Sequence, residues 1–587
     1  MTDGASSTTP ADLALTQALF VEEVTIGDFR GIRDLTVRFE PELTVLVGAN
    51  NSGKSRILRA VAVALGGEPA ELDDLTIGAG RTATIDVIVA PWPRPADASQ
   101  EDLFADDLQQ RLGPSPIQDA PERQRFSWRT TIKMSAEGFG ATAEATVRQF
   151  SPADGWYLPP APMTLSRQQR TAIEAMLIGT RRDLAQELTT RGSGIRRVLS
   201  DLEIEDAVRV DLETKLQALG GEIVASSGSL DAITTSLDEA EREVGGLGRP
   251  VIHPLPPRLE DMGRSISIDL DHGAGPLPMR LHGSGPRSLA SLQVQGVLYD
   301  RRLGRDGPDR RPHPISLVEE PEAHLHPQLQ FELPVLLQAL PGQVIVSSHS
   351  SHLVTAVPPE CLRLLRLDDE AVAVQDLRPA DDDDGPAPRA LNPRLYRSEM
   401  EKIKRQIERP FGELLFASAV VIGDGATERA FLPPVLRRAL GSKAHGVCVV
   451  DPGSMNQPLA GAVVKFADLI GMPWYLFADS DDEGKAAVDQ ILRPEDVEVE
   501  RVAWQASPDG GQAIEAMMLD FDEAVCLAAC EATRPGSVDE RGLEGAMKSL
   551  KGSLGAALAH ELLARHDDPA TWPAPLRRLI ALVESGL

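Results

Sequence analysis

Apolar and polar residues alternate with the two-residue period of β-strands over the first part of the chain. The segments VEEVTIGDF, LTVRF, LTVLV and TATIDVIVA show this alternation between residues 21 and 90, and SWRTTIKMSA and ATAEATVRQF continue it. From Ser166 to Val244 apolar residues recur instead at spacings of three and four, which predicts helices. Strand patterns return at ISIDL, ISLVEE, VIVSS and LRLLRL. The pattern predicts a strand-rich domain, residues 21–164 and 249–376, interrupted by a helical insert at 165–248.

The second half of the chain begins after a polar segment. Residues 377–393, LRPADDDDGPAPRALNP, combine an acidic run with prolines and predict an acidic linker, because they bury too little apolar surface to fold. We expect residues 1–20 to form a short disordered arm. In 394–587, strand patterns (SAVVIG, GVCVVD, WYLFAD) alternate with helix patterns (ATERAFLPPVLRRAL, AGAVVKFADLIG). That alternation predicts a small parallel α/β sheet.

Composition narrows the class of protein. A chain of 587 residues is too long for one core, and length favours three or four domains. No apolar run reaches transmembrane length, the first residues lack a signal-peptide pattern, and four cysteines are too few for a disulfide framework. We therefore expect a cytoplasmic protein without a membrane partner.

The net charge of the chain limits how it can bind a nucleic acid. At −29, the overall field repels phosphate, so DNA binding needs a local basic surface. Candidate basic islands, each of which equally fits a solvated face, are residues 301–311, 191–197 and 389–409.

The segment GANNSGKS has the spacing of a phosphate-binding loop. It follows the apolar run 43–47 and precedes a helix pattern at 56–65, the context that G-x-x-x-x-G-K-[ST] requires. In such a loop, backbone N–H groups converge on phosphate oxygens at a helix N-terminus. Lys54 is expected to neutralise β/γ-phosphate charge and Ser55 to hold Mg²⁺. The nucleotide-binding candidates are Gly48, Asn50, Asn51, Ser52, Gly53, Lys54 and Ser55.

Two acids follow the apolar strand pattern ISLV, as in a Walker B motif. We assign Glu319 to Mg²⁺, through water, and Glu320 to the general base that polarises the attacking water. His349, at the end of the strand pattern VIVSS, is placed to report on the γ-phosphate. Ser284 and Gly285 precede a helix pattern, where exposed N–H groups can bind the γ-phosphate of another subunit's nucleotide.

The order FRGI, GANNSGKS, GSGPRSLASLQ, LVEEPEAHLHP and VIVSSHS resembles the SMC-like ABC ATPases, and EEPEAHLHP is similar to the OLD (overcoming lysogenization defect) family of ATP-dependent nucleases. The resemblance covers residues 21–375. It implies an ABC-type head whose ATP sites lie between two heads, with Ser284 and Gly285 acting in trans. It also implies that the helical insert is a dimerisation element, in a homodimer or higher homo-oligomer.

A second set of acids follows the C-terminal strand patterns. Asp424 and Glu428 flank a glycine turn after SAVVIG, and Asp479 and Asp481 follow WYLFA. Residues two apart in extended backbone point to the same side, so two carboxylates at a strand end can share a metal. Such hard oxygen clusters suit Mg²⁺ or Mn²⁺, which activate water in phosphodiester hydrolysis.

This half resembles a Toprim domain, whose pattern is E-G-x-x-E after the first strand and D-x-D after the third. Glu428, Asp479 and Asp481 match, while Asp424 replaces the first glutamate and retracts its carboxylate by one methylene. The resemblance implies that Glu515 is a further metal ligand and that Lys551, rather than Lys548, is the catalytic lysine.

The sequence as a whole predicts an α/β protein: an ABC-type ATPase head with an inserted helical dimerisation element, followed by a C-terminal Toprim domain. The leading hypothesis is an ATP-regulated, metal-dependent DNA endonuclease using ATP and Mg²⁺ or Mn²⁺. The family resemblance also implies antiphage defence, with a helicase-like partner as in the Gabija system. The alternative is a nucleotide-switched DNA- or protein-binding ATPase with a degenerate Toprim domain, which Asp424 favours. A topoisomerase or primase fits less well, because the four tyrosines form no nucleophile motif.

Overall fold

The computed structural model gives the architecture of most of both predicted domains. It describes residues 19–78, 82–92, 102–113, 117–120, 123–135, 140–180, 205–230, 269–271, 276–303, 312–368, 371–380, 382, 385, 387, 389–406, 414–455, 458–493, 495–496, 500–506 and 513–587. The predicted arm up to residue 18, the basic island 191–197 and most of the helical insert lie outside these residues.

The predicted strand patterns of the ATPase half form strands, and further strands lie outside those patterns. The strands are β1 (Leu19–Phe29), β2 (Ile32–Arg38), β3 (Leu43–Gly48), β4 (Thr82–Pro91), β5 (Ile117–Ala120), β6 (Arg123–Met134), β7 (Ala141–Val147), β8 (Gln149–Ser151), β9 (Gly155–Tyr157), β10 (Ile173–Ile178), β11 (Asp269–Asp271), β12 (Pro276–Pro278), β13 (His313–Glu319), β14 (Gln343–Ser348), β15 (Leu362–Asp368) and β16 (Ala371–Asp376).

Helices of this half connect and cover the strands. They are α1 (Lys54–Ala64), α2 (Asp106–Leu112), α3 (Arg167–Arg170), α4 (Asp206–Ser226), α5 (Ser284–Leu303), α6 (Pro327–Gln330), α7 (Leu333–Gln338) and α8 (Ser351–Ala356). Helix α4 is the described part of the predicted insert.

Two sheets form the ATPase domain. The first is antiparallel, in the order β2-β1-β4-β6-β5 with β7 on β6. The second has the order β10-β13-β14-β3-β15-β16 and is parallel from β10 to β15. The parallel sheet brings the ends of β3, β13 and β14 to one edge, where the phosphate-loop, Walker B and histidine motifs are.

One predicted element is of the wrong type. Residues 173–178, which the three-and-four spacing assigned to the helical insert, form strand β10, paired in parallel with β13. Both Ile173 and Ile178 are buried. A six-residue apolar run fits a buried strand and a helix equally well, and here the edge of the ATPase sheet decides. The predicted start of the insert at 165 is therefore too early.

The C-terminal domain is built on a parallel sheet, as predicted. Its strands are β17 (Ala419–Gly423), β18 (Val447–Val450), β19 (Trp474–Asp479) and β20 (Val502–Gln505), in the order β18-β17-β19-β20. Its helices are α9 (Arg397–Gln406), α10 (Ala426–Leu440), α11 (Pro458–Leu469), α12 (Asp482–Ile491), α13 (Ile514–Phe521), α14 (Glu523–Thr533), α15 (Ser537–Arg565) and α16 (Ala574–Gly586).

The hydrophobic core crosses the domain boundary. Val420 and Ile422 of β17 belong to the same buried cluster as Val45 and Val47 of β3, and Met400 and Ile403 of α9 lie in this cluster as well. The opposite face of the C-terminal sheet packs on its own helices, with Cys526 and Cys530 as buried thiols. We infer that the two sheets are packed together rather than tethered by a loose segment.

The predicted linker is ordered at several points, which corrects the expectation that 377–393 cannot pack. Leu377 is buried, and Arg389 is almost fully buried between Asp468, at 2.5 Å, and Asp496. The Arg389 guanidinium also lies 5.0 Å from the ring centre of Trp474. Composition missed this docking because the partners of Arg389 are distant in sequence. A buried, paired Arg389 also removes the first residue of the basic island 389–409 as a DNA contact.

Among the helices that the structure describes, none is both long and apolar enough to cross a membrane.

Candidate functional sites

The phosphate loop joins β3 to α1 as predicted, and its glycines are required by geometry. Gly48 and Gly53 have φ of 149° and 104°, a region that side chains disfavour. A Cβ on Gly48 would collide with the backbone of Leu365, and one on Gly53 would lie 3.3 Å from Val372. Asn51 also takes a positive φ, of 64°. Asn50 and Ser55 are exposed, so the loop presents an open surface at the N-terminus of α1.

Lys54 lies inside this loop rather than in solvent. Its Nζ donates hydrogen bonds to the carbonyls of Gly48 and Ala49, both at 2.9 Å, and lies 3.5 Å from the Ser52 hydroxyl. Burial lowers the pKa of Lys54 to about 8, although Glu320 and Glu322 oppose the shift. The lysine is thus the cation of a site whose other charged groups are acids.

The Walker B acids lie at the end of β13, two strands from the loop. Glu320 adopts a φ of 42°, unusual for a residue with a side chain, and its N–H donates to the Ser347 carbonyl at 2.8 Å. This turn separates it from Glu319, the last residue of β13. The two acids therefore have different backbone settings, as their two predicted roles require.

Sequence analysis missed a third acid here. The Glu322 carboxylate accepts a hydrogen bond from the His349 N–H at 2.5 Å, and its Oε2 is buried with no hydrogen-bond partner among the described residues. Burial raises the pKa of Glu322. The signal was present in the sequence EEPE, but the residue after a proline gave no reason to assign it to the site.

His349 is brought beside the Walker B turn, as its position after β14 predicts. Its Nε2 lies 3.8 Å from the Glu320 carboxylate. Burial, together with the Lys54 charge, lowers the pKa of His349, so the imidazole is neutral at pH 7. Its other neighbour is the ring of Phe416 in the C-terminal domain, 6.4 Å away between ring centres.

Ser284 and Gly285 begin helix α5. Ser284 is exposed, whereas Gly285 packs so closely that a Cβ would lie 2.9 Å from the His324 carbonyl oxygen. The helix N-terminus thus presents Ser284 outward.

The second site lies at the carboxyl ends of parallel strands in the C-terminal sheet. Asp424 follows β17, Asp479 ends β19, and Gln505 ends β20 directly opposite Asp479 in register. Because the strands are parallel, residues far apart in sequence meet at one edge. The sequence predicted the acids but missed Gln505, since the four-residue strand VAWQ carries too little pattern.

Two of the acids are already bonded to the backbone. Asp424 accepts the N–H of Met455 at 2.8 Å and that of Asp479 at 3.3 Å, one on each oxygen. Asp481 Oδ1 accepts the Gly484 N–H at 2.6 Å and so caps α12. Asp481 thereby keeps its other oxygen for a ligand, while Asp424 has a donor on both.

Glu428 and Asp479 are the acids with the strongest perturbation. Burial raises the pKa of Glu428 to about 7, and its Oε1 accepts a hydrogen bond from Gln505 Nε2 at 3.1 Å. Burial, followed by the charges of Asp424, Glu428, Asp481 and Glu515, raises the pKa of Asp479 to about 8. Such mutual repulsion shows that these carboxylates face a common region.

The acidic side chains of this site are candidate ligands for a metal. Within the part of the chain that the structure describes, no three His, Cys, Asp or Glu side chains converge closely enough to hold an ion. Asp479 Oδ1, however, is buried without a hydrogen-bond partner among the described residues. Carboxylate oxygens are the ligands that Mg²⁺ and Mn²⁺ prefer, and a cation would relieve the repulsion. The chemistry of these donors therefore suits a hard divalent metal, whereas the described side chains are not gathered around one point.

The remaining candidates are close to this region. Glu515 is in the first turn of α13, and its charge contributes to the raised pKa values of Glu428 and Asp479. Lys551 is exposed and interrupts α15 with φ 28°, and the next residue, Gly552, packs on Ala426 at the start of α10. Lys548 instead pairs with Glu544 on its own helix at 2.7 Å. The choice of Lys551 over Lys548 stays a prediction from the family resemblance.

Domain families match both halves of the chain. The family described as "AAA domain" matches residues 23–94, and "AAA ATPase domain" matches residues 225–354. "Overcoming lysogenization defect protein-like, TOPRIM domain" matches residues 415–481, which contain Asp424, Glu428, Asp479 and Asp481.

Two relatives share part or most of the chain. The "OLD nuclease" of Thermus scotoductus (strain ATCC 700910 / SA-01) is 24% identical over 488 residues, 78% of this chain and 82% of the relative. "Uncharacterized protein YbjD" of Escherichia coli (strain K12) is 29% identical over 221 residues, 37% of this chain; the match spans 36% of that relative.

Among solved structures, the Smc head domain with an extended coiled coil bound to the C-terminal domain of ScpA, derived from Pyrococcus furiosus, covers 61% of this chain and 96% of its own. The identity is 14% and the TM-score 0.35. At this score the likeness adds nothing to the sheet order described above.

Proposed function

Because the chain is an OLD-family protein that joins an ATPase domain to a Toprim domain, we propose that it is an ATP-regulated, divalent-metal-dependent DNA endonuclease. The observation that carries the proposal is the carboxylate cluster at the ends of β17 and β19. Its central member, Asp479, has a buried oxygen without a hydrogen-bond partner in the described chain and a pKa raised to about 8. An acid in such a setting is typical of a functional site.

The nuclease residues divide into ligands and a charge stabiliser. The candidate ligands for Mg²⁺ or Mn²⁺ are Asp424, Glu428, Asp479, Asp481 and Glu515. When bound, such a metal makes water a nucleophile at neutral pH and stabilises the leaving oxygen of a phosphodiester. Lys551, exposed on the strained turn of α15, is placed to neutralise phosphate charge.

The ATPase residues bind and orient the nucleotide. Lys54 and the loop N–H groups hold the phosphates, and Ser55 and Glu319 hold the Mg²⁺ that accompanies ATP. Glu320 positions and polarises the attacking water. A second copy of the chain contributes Ser284 and Gly285 at the N-terminus of its α5.

Regulation by ATP is supported by the contact between the two domains. His349 lies 3.8 Å from Glu320 on one side and faces the Phe416 ring on the other. Phe416 precedes β17, the strand that leads to Asp424, and packs against the core cluster shared by both domains. A change at the γ-phosphate that moves His349 can therefore reach the Toprim sheet through packed side chains.

Assembly is supported by helix α4. Four apolar side chains of this helix are exposed: Val208, Val210, Leu219 and Ile223. Exposed apolar side chains on a helix are a common feature of partner surfaces. We infer a homodimer or higher homo-oligomer through this element. We also propose that the protein acts in antiphage defence in the cytoplasm, with a helicase-like partner. This part of the proposal rests on the resemblance to the OLD family.

The proposal is tested by nicking of supercoiled plasmid with Mg²⁺ or Mn²⁺, with and without ATP. The wild type should nick only with metal, and Asp479→Asn should lose more than the roughly 100-fold that loss of an outer-shell partner costs. Asp489→Asn is the matched control, because Asp489 is an exposed acid on α12. Nicking by Asp479→Asn at the wild-type rate would overturn the site.

A second candidate is a nucleotide-switched DNA- or protein-binding ATPase with a degenerate Toprim domain. Asp424 favours it, because its side chain is one methylene shorter than the usual glutamate and both of its oxygens already accept backbone N–H bonds. The same assay separates the two: this candidate predicts ATP hydrolysis without nicking under every metal condition.

A further inference from the structure

Gln505 is a fully buried polar side chain at the edge of the sheet that carries the acids. It ends β20, and its Cα is the register partner of Asp479. Its backbone carbonyl accepts a hydrogen bond from the Ser480 hydroxyl at 3.1 Å, so Gln505 is tied to the segment between the two aspartates of the D-x-D motif. A buried amide costs stability unless it is hydrogen-bonded, which makes its partners informative.

The Gln505 amide bridges two acceptors. Its Nε2 donates to Glu428 Oε1 at 3.1 Å and to the Phe477 carbonyl at 3.1 Å. Since the Phe477 carbonyl can only accept, the nitrogen must face it; the reverse orientation would set Oε1 against that carbonyl oxygen. The amide orientation is therefore fixed by its contacts, and one anchor is the rigid backbone of β19.

Glu428 is held on its other side by close packing. A Cβ on Gly423 would lie 2.6 Å from Glu428 Cβ, so only glycine lets the start of α10 approach β17 this closely. With Oε1 fixed by Gln505, Oε2 is the oxygen left to turn toward Asp479.

We propose that Gln505 is a positioning residue of the Toprim site, which clamps Glu428 Oε1 to β19 so that the carboxylate is aimed at a divalent metal. This inference rests on the proposed metal-dependent function. Hydrogen-bond partners of ligating groups commonly orient them, and their loss weakens metal affinity.

The test is a double-mutant cycle on Mn²⁺ affinity, measured by electron paramagnetic resonance on the full chain without nucleotide. Gln505→Met keeps the volume and removes the donor, and should weaken Mn²⁺ binding by about 10- to 100-fold. Glu428→Gln should also weaken binding. If Gln505 acts through Glu428, the double variant should bind no more weakly than Glu428→Gln alone.

Controls separate positioning from folding. Gln490→Met, an exposed glutamine on α12, should leave the affinity unchanged. Melting temperature and ATP hydrolysis report the integrity of each variant. If Gln505→Met melts early, Gln505→Asn keeps a buried amide but retracts it by one methylene, and should lose affinity in the same way.

Two outcomes would overturn the inference: wild-type affinity in both Gln505 variants, or effects of Gln505→Met and Glu428→Gln that multiply independently. Failure of the proposed function gives a different result, because the wild type would then bind no Mn²⁺ that depends on Asp479.

Discussion

The two sites of this protein use the same structural device with opposite charge arrangements. Each lies at the carboxyl edge of parallel strands, where β3, β13 and β14 meet in one domain and β17, β19 and β20 in the other. The ATPase site encloses its own cation, Lys54, among Glu320 and Glu322. In the Toprim site acids face one another, and the pKa values of Glu428 and Asp479 rise to about 7 and about 8.

That difference indicates how each site is completed. Glycines with positive φ give the ATPase loop its shape before an anion binds, and Lys54 can neutralise the charge of that anion. The Toprim cluster holds an excess of negative charge that a divalent cation can neutralise. One site is a preformed anion cradle, and the other is a group of acids whose mutual repulsion a bound cation would relieve.

The largest expected effect is a loss of ATP turnover that is confined to the ATPase domain. Glu320→Gln removes the proposed general base and should lower ATP turnover by about 10²- to 10⁴-fold, the usual contribution of such a group. Nucleotide should still bind, because Lys54 and the loop are intact. The measurement is steady-state phosphate release together with nucleotide binding.

Glu332→Gln is the control for this variant, since Glu332 is an exposed acid just before α7. Turnover at the wild-type rate in Glu320→Gln would remove Glu320 as the base.

A smaller effect should be confined to the Toprim domain. A Cβ on Gly484 would collide with the Asp479 carbonyl, so Gly484→Ala must shift the turn that holds Asp479 and Asp481. We expect a loss of about 1–3 kcal/mol in the free energy of unfolding, typical of overpacking, and weaker nicking with ATP hydrolysis retained.

Gly461→Ala is matched to it, because a Cβ on Gly461 in α11 meets nothing within 4 Å. That variant should be neutral or slightly stabilising, by up to about 1 kcal/mol from helix propensity. Equal losses in both variants would mean that the D-x-D turn is not specifically constrained.

A further expected effect is on the pH dependence of stability. The folded pKa values of Asp479 and Glu428, about 8 and about 7, lie above the ordinary values of 3.8 and 4.5. These two carboxyls therefore bind more protons in the folded protein than in the unfolded chain between about pH 4 and pH 8, and their contribution to stability falls as pH rises through that window. Melting in EDTA should show this decline, and Asp479→Asn should flatten it.

Asp489→Asn should keep the slope of the wild type. A slope unchanged by Asp479→Asn would contradict the raised pKa of Asp479.

The sequence predicted most of the features that depend on residues close together in the chain. It predicted few of those that depend on contacts between distant residues. Gly48 to Ser55 are contiguous, so spacing alone identifies the loop, and Asp479 and Asp481 share one strand end. Gln505 and Glu322 were missed because their roles come from partners distant in the chain or hidden by burial. Phe416 was missed for the same reason, since its contact with His349 exists only once the domains pack.

Two errors have a common physical origin. The run 173–178 was assigned to helix, and the segment containing Arg389 was assigned to an unfolded linker. In both, local pattern and composition were overridden by tertiary partners: the edge of β13 in one case, and Asp468, Asp496 and Trp474 in the other. The order of strands and helices in the C-terminal domain was predicted correctly, because a strand buried on both faces of a parallel sheet is a nearly continuous apolar run that stands out in the sequence.

The central claim is that the Toprim carboxylates form a working metal centre even though Asp424 stands where glutamate is usual. The direct measurement is a Mn²⁺ titration of the full chain without nucleotide, followed by electron paramagnetic resonance, in the wild type and in Asp479→Asn. We expect a bound Mn²⁺ in the wild type that Asp479→Asn loses. The same Mn²⁺ binding in both proteins, or none in either, would contradict it and favour the nucleotide-switched binding protein.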